Sequence, residues 1–321
     1  MKIFPIQLIP HDTRIDFMRL RWITLSIAAV VFAAVVGLIL VKGFNYALDF
    51  TGGTVVELRF QQPADVEQVR TRLATAGFGS AQVQSFGSGQ ELLVRLQPRD
   101  GVAGEGVNDE AALQVVAAVS RADNPAEILR SEFVGPQVGS ELAMNGLYAA
   151  IFVVVGFLIY IGFRFEWKFA VVASLTTLFD VLMAAGWIAM TGREFDLTVL
   201  AGLLAVMGFS INDTVVVFDR VRENFRSMRG DPLEIMNRSI NQTLSRTIIT
   251  SMVFFLSVLA LYLYGGGSLE GLAVTQMVGA VVGTLSSIFI ACPLLTVGFL
   301  KVTKQDLLPK AKDIEALARR P

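Results

Sequence analysis

The chain has 321 residues, 53% of them hydrophobic, a formal net charge of -1 and a mean hydropathy of +0.58. That balance excludes an ordinary soluble domain, and the near-zero charge excludes nucleic acid as a partner, because a phosphate-binding surface needs clustered excess cation. One cysteine (Cys292) and one histidine (His11) exclude an intrachain disulfide, a Cys/His metal site and a histidine-based triad.

Met1 to Arg21 is polar and basic, and an apolar run from Trp22 to Val41 follows. The run has full spanning length, roughly 20 residues. No small-x-small cleavage site closes it, so it reads as a first transmembrane helix and uncleaved anchor rather than a removable signal peptide. Residues 42–140 change character. Thr54–Phe60 reads as a strand, and Ala64–Ala76 as an amphipathic helix with Val66, Val69 and Leu73 on one face. Gln82–Phe86 and Glu91–Leu96 read as a hairpin turning at Gly87-Ser-Gly89. Asn108 caps a helix through Ser120, and Ala126–Val134 is a last strand. The order β-α-β-β-α-β is that of a split βαβ, or ferredoxin-like, domain.

Five more spans follow: Leu142–Ile161, Phe169–Met190, Leu197–Arg220, about Arg246–Tyr264, and Leu272–Leu300. The last is longer than a bilayer needs, so it predicts tilt or an extension. Residues 220–245 form a basic loop, in which Asp231-Pro232 starts a short helix. Gly265-Gly-Gly267 separates the last two spans, and residues 301–321 are a basic tail. The N-terminus, the loops after spans two and four, and the tail carry the lysines and arginines. They fall on one side, which predicts the cytoplasm for both termini and the outer face for residues 42–140. The expected architecture is an all-α polytopic membrane protein of six spans with a small α+β periplasmic domain between the first two.

No G-x-x-x-x-G-K-[ST] loop and no G-x-S-x-G elbow occurs. The expectation is therefore a protein that is not an enzyme, holds no cofactor or metal, and takes its energy from elsewhere. The residue that raises the question of work is Asp213, beside Asn212 inside span four. A charge there costs roughly 2.5–3.5 kcal/mol on insertion scales. Two readings stand: a protonated carboxyl that hydrogen-bonds helices together, or a proton acceptor. Arg246 either snorkels to headgroups or pairs with ionised Asp213. Asp180, in span three, is a helix-interface group or a relay, with Asn212 or Thr176 as partner. Gly52 and Gly53 permit positive φ, so Asp49-Phe-Thr-Gly-Gly53 is a plain turn or a hinge. Gly279 and Gly283 make a small-xxx-small packing face on span six.

Leu48-Asp-Phe-Thr-Gly-Gly53, Gly208-Phe-Ser-Ile-Asn-Asp-Thr-Val-Val-Val-Phe-Asp-Arg220, Arg222-Glu-Asn-Phe225, Gln242-Thr-Leu-Ser-Arg-Thr247 and Gly265-Gly-Gly-Ser-Leu-Glu-Gly271 closely resemble the SecF family of bacterial protein-export membrane subunits. The resemblance covers almost the whole chain. It implies one six-span half of a resistance-nodulation-division (RND) bundle in the inner membrane, with SecD as the other half. It also implies use of the proton-motive force to pull unfolded preproteins outward after the SecA ATPase and the SecYEG channel. YajC, YidC and membrane lipids are further implied neighbours. Asp213, Asn212, Arg246 and Asp180 then become proton-relay candidates, with a SecD residue as a further candidate partner for Asp180. Phe179 departs from the family pattern, where a histidine is expected before Asp180, and this removes a titrating neighbour. Two other functions stay open: a scaffold for SecYEG that conducts no protons, and a half-size small-molecule exporter of the same superfamily.

Overall fold

The computed structural model describes residues 13–79, 81–86, 90–96 and 105–307. The hairpin turn at Gly87–Gly89, His11 and the tail beyond Leu307 lie outside them. The chain divides into two compact units, Tyr46–Ala149 and the remainder.

The smaller unit begins with β1 (Asn45–Tyr46), which straddles its boundary, and a single helical turn, α2 (Leu48–Thr51). It continues with β2 (Gly53–Phe60), α3 (Val66–Thr75), β3 (Gln82–Phe86), β4 (Glu91–Leu96), α4 (Glu105–Val119) and β5 (Ala126–Val134). The expected β-α-β-β-α-β order is present. The four long strands pair in the order β3-β4-β2-β5, antiparallel throughout. Alternation turns Val56, Leu58 and Phe60 of β2 and Leu92, Val94 and Leu96 of β4 to one face. There they bury Val69 and Leu73 of α3 and Ala112, Val115 and Val119 of α4. Asp65 caps α3 by accepting from the Glu67 amide at 2.9 Å. The second helix starts earlier than its sequence signal: Asn108 lies inside α4 rather than capping it.

The larger unit holds most of the membrane helices. Six helices among the described residues are long and apolar enough to cross a bilayer. They are α1 (Arg21–Lys42), α5 (Pro136–Arg164, whose first turns fall in the smaller unit), α6 (Trp167–Thr191), α7 (Leu197–Ser227), α8 (Pro232–Tyr264) and a last span running through α9 (Gly267–Ser286), a π-helical stretch at Ser287–Ala291 and α10 (Cys292–Leu294). A short strand, β6 (Glu194–Phe195), joins α6 to α7. The chain is thus a multi-pass membrane protein.

Two expectations change. The loop at 220–245 holds no separate short helix. The fourth span runs on through Arg220 to Ser227, and the helix that starts at Pro232 continues unbroken as the fifth span. Proline at the first helical position suits that start, since its missing N–H has no partner there anyway. Asn224 staples the resulting hairpin, donating to Ser239 Oγ at 2.8 Å and Gln242 Oε1 at 2.9 Å. The sixth span also ends earlier than its expected limit at Leu300: its helix runs through the π stretch and Pro293 and stops at Leu294.

The bundle is layered along its axis. Phe165, Phe169, Phe218, Phe225, Met236 and Ile240 anchor an apolar cluster at the end carrying the arginine-rich segments, called here the basic end. Ala184, Ile188, Val199, Leu203 and Val274 form a second cluster towards the other end. Between these lie Thr176, Thr177, Asp180, Ser210, Asp213, Thr214, Thr247, Ser251 and Ser286, all buried. A polar layer between two apolar clusters persists only if its groups find partners, because a lone buried polar group costs about 1–3 kcal/mol.

Candidate functional site

Asp213 sits in α7 at 2% exposure. Its Oδ2 accepts a hydrogen bond from Ser251 Oγ of α8 at 3.0 Å. Thr214 and Thr247 bring hydroxyls into the same layer that have no partner among the described residues. Arg246 is exposed and makes no ion pair with Asp213 among the described residues.

Asn212 faces elsewhere. Consecutive helical residues diverge by about 100°, so burying Asp213 turns Asn212 to the outside of this chain, where it is exposed. Its side chain makes no hydrogen bond among the described residues. The expectation that it partners Asp180 inside the bundle is therefore corrected.

Asp180 is fully buried. Its Oδ2 accepts from Ser286 Oγ at 2.8 Å and from Ser210 Oγ, one turn before Asp213 on α7. Three helices, α6, α7 and α9, thus meet on one carboxylate oxygen. The other oxygen, Oδ1, has no partner among the described residues, nor does the nearby Thr177 hydroxyl. Thr176, expected as a partner, instead donates to the Val172 carbonyl at 2.9 Å. Phe179 stacks on Phe32 of α1, with ring centroids 6.2 Å apart. The position that departs from the family pattern thus holds the loosely packed first span.

Gly279 and Gly283 both face α7. A Cβ on Gly279 would meet Val206 Cγ2 at 2.1 Å, whereas one on Gly283 would stand 3.5 Å from Ser210 Cβ. The first position excludes any side chain; the second only keeps the space beside Asp180 open. In the smaller unit, Asp49 lies in the first turn of α2, which Gly52 ends at φ 65° with Gly53 at φ 121°. The motif is a capped helical turn leading into β2, with backbone angles that favour glycine.

Of the hydroxyls that complete the site, Thr247 stands beside Arg246 in the sequence reading, whereas Ser210, Ser251, Ser286, Thr177 and Thr214 are not singled out there. A hydroxyl three residues before Asp213 inside an apolar helix was the available signal for Ser210. Ser251 and Ser286 come from other helices and had none.

Fold and site define a six-helix membrane protein with two carboxylates buried in a hydroxyl-lined central layer. Residues 114–300 match the family described as protein export membrane protein SecD/SecF, C-terminal, and residues 37–64 match the SecD/SecF GG motif. The chain is 44% identical to the protein translocase subunit SecF of Pseudomonas aeruginosa, over 93% of this chain and 96% of that one. It is 41% identical to the protein translocase subunit SecDF of Brucella abortus, covering 94% of this chain but 39% of the relative. The crystal structure of SecDF from Thermus thermophilus, a translocon-associated membrane protein, superposes with a TM-score of 0.80 at 37% identity, over 91% of this chain and 39% of that one. The chain belongs to the SecD/SecF family of protein export membrane proteins, on its SecF side.

Proposed function

We propose that this chain is the SecF half of an accessory complex in Sec protein translocation, and that it couples the proton-motive force to late steps of export. The observation that carries the reading is Asp213: a membrane-buried carboxylate held, among the described residues, by one hydroxyl, Ser251, beside Thr214 and Thr247 hydroxyls that find no partner there. A group so lightly held can gain and lose a proton without dismantling a larger network. One charge moved across 100 mV yields about 2.3 kcal/mol, so a few protons suffice to drive a conformational cycle. Arg246 then senses the charge on Asp213, and Asp180 is the second relay candidate, one turn further from the basic end.

SecD is the proposed partner, supported by relatives in which one chain carries both halves. The outward face of α7, where Ala201, Ala205, Gly208 and Asn212 are exposed, is small and carries one polar group, which suits close contact with that half. The basic end faces the cytoplasm by the positive-inside rule, in the inner membrane. The four-stranded unit is then a ferredoxin-like periplasmic domain, near SecYEG and the emerging preprotein. In this reading the protein makes and breaks no covalent bond and needs no cofactor beyond the gradient.

The test is Asp213→Asn in the complex with SecD, in vesicles energised by a proton gradient. Loss of the ATP-independent late step, with the complex intact, supports the reading. An unaffected late step leaves Asp213 as helix glue and favours the scaffold function.

A further inference from the structure

The segment just before the first span is gripped more firmly than the span itself. No residue of α1 is buried. Yet Phe17 and Met18, which precede it, are 6% and 3% exposed. They insert into the apolar cluster at the basic end beside Phe165, Met236, Ile240 and Cys292, and Phe17 meets Phe289 edge-on at 5.6 Å.

Two asparagines of α8 read the backbone of the same segment. Asn241 Oδ1 accepts from the Ile15 N–H at 3.0 Å, while its Nδ2 donates to the Ile15 carbonyl at 2.8 Å. One side-chain amide thus satisfies both polar groups of one residue, as a neighbouring strand would. Asn237 Oδ1 accepts from the Met18 N–H at 2.9 Å, and its Nδ2 donates to Asp16 Oδ1 at 2.6 Å. Asp16 also accepts from the Arg19 N–H at 3.1 Å, which closes the turn into α1. Residues 237 and 241 are four apart and share a face of α8. Asparagine suits the task because it both donates and accepts; alanine, aspartate or leucine at these positions offers fewer or none of these bonds.

We infer that Asn237 and Asn241 are positioning residues: they clamp Ile15–Met18 and thereby lock the basic end of α1 to α8, the helix whose Ser251 holds Asp213. The inference rests on the proton-coupled reading of Asp213. The helix between clamp and site is unbroken. Asn241 and Ser251 are ten residues apart, about 15 Å at 1.5 Å per residue. A tilt or rotation of α8 that follows a change at Asp213 therefore reaches Ile15 as a rigid displacement. Along its length α1 otherwise touches the bundle by side contacts such as Phe32 on Phe179 and Val35 on Gly186. The clamp is what obliges the first span to follow the fifth.

The experiment uses the full chain paired with SecD in sealed vesicles. Asn237→Asp keeps an acceptor for Met18 but sets a carboxylate against Asp16. The double variant Asp16→Asn with Asn237→Asp returns one donor and one acceptor to the pair in swapped order. Two readouts are taken: the late, proton-driven step of transport, and alkylation of Cys292. That cysteine, the only one in the chain, is buried in the same cluster as Phe17 and Met18. Asn237→Asp should speed alkylation about tenfold, the shift expected from loss of one charge-assisted hydrogen bond, and slow transport while proton uptake persists. The swapped double variant should restore both readouts to within about twofold. Two results overturn the clamp as a coupling device: Cys292 opened with transport unchanged, or no rescue by the swap in an intact complex. Failure of the proton-coupled reading itself shows elsewhere, as normal late transport in Asp213→Asn with Cys292 still protected.

Discussion

Replacing Gly279 with alanine adds one methyl group where α9 crosses α7. That methyl would lie 2.1 Å from Val206 Cγ2, 2.7 Å from Cγ1 and 2.9 Å from Cβ. Non-bonded carbons settle at about 3.5 Å or more, so the two helices must part locally by about 1.4 Å. Val206 has little means to yield. It is 1% exposed, and a β-branched side chain in a helix keeps essentially one χ1 rotamer. Overpacking of this kind costs about 1–3 kcal/mol. The strain also reaches the site, because α7 carries Ser210 and α9 carries Ser286, with Asp180 held between them. The assay is a double-mutant cycle on unfolding in mixed micelles: Gly279→Ala, Val206→Ala and the pair. Val206→Ala removes the two methyls that the new Cβ would strike. The pair should therefore be more stable than the sum of the single losses by about 1 kcal/mol or more. Additivity to within about 0.5 kcal/mol would refute the packing argument, as would a Gly279→Ala protein as stable as the parent.

Other outcomes follow from the same contacts. Asp180→Asn keeps an oxygen acceptor for Ser210 and Ser286, so it should leave assembly of α6, α7 and α9 intact, whereas Asp180→Leu should lower stability by about 1–3 kcal/mol by stranding the buried Ser210 hydroxyl, while Ser286 falls back on the Gly283 carbonyl at 3.1 Å. If transport falls with asparagine while unfolding is unchanged, Asp180 is a relay; equal transport leaves it as glue. Outside the membrane spans, Asp306 has a pKa below its ordinary value. Its partial burial acts to raise it, but hydrogen bonds from Lys168 and from the Thr303 amide and hydroxyl, with the Lys168 charge, outweigh that. A lowered pKa stabilises the folded state fully above the ordinary carboxylate value of 3.8, and the stabilisation is lost as pH falls through the lowered value. Protection factors at Val302–Leu307, which remove the intrinsic pH dependence of amide exchange, should fall over that acid range, and Asp306→Asn should abolish that fall. Protection that stays constant through the acid range in the parent would contradict the Lys168 contact.

How much of this was legible in the sequence depended on whether a pattern was local. The six spans were, because a bilayer demands a long uncharged run of backbone that satisfies its own hydrogen bonds. The strand and helix order of the smaller unit was, because alternation and amphipathic spacing are properties of consecutive residues. Asp213 and Asp180 stood out because a carboxylate in hydrocarbon is costly wherever it points. The helix from Pro232 to Tyr264 reads in the sequence as two, a short helix starting at Asp231-Pro232 and a span from about Arg246, since charge marks where a span leaves the membrane and not where a helix ends. Asn108 had the chemistry of a cap, yet the helix had already begun at Glu105.

The sequence by itself determined which residues are expensive to place in a membrane, two carboxylates among six long apolar segments; that Gly279 rather than Gly283 is the position a side chain would collide at came from the structure. Only the tertiary structure decided what relieves that expense. Ser251 reaches Asp213, Ser210 and Ser286 reach Asp180, and Asn241 reaches Ile15 across 226 residues of chain. Adjacent Asn212 and Asp213 look like one polar pair in the sequence, but a helix turns them apart, one into the bundle and one out of it. A hydrogen bond needs its partner within about 3 Å, and for these groups the partner lies on another helix, where no local pattern records it.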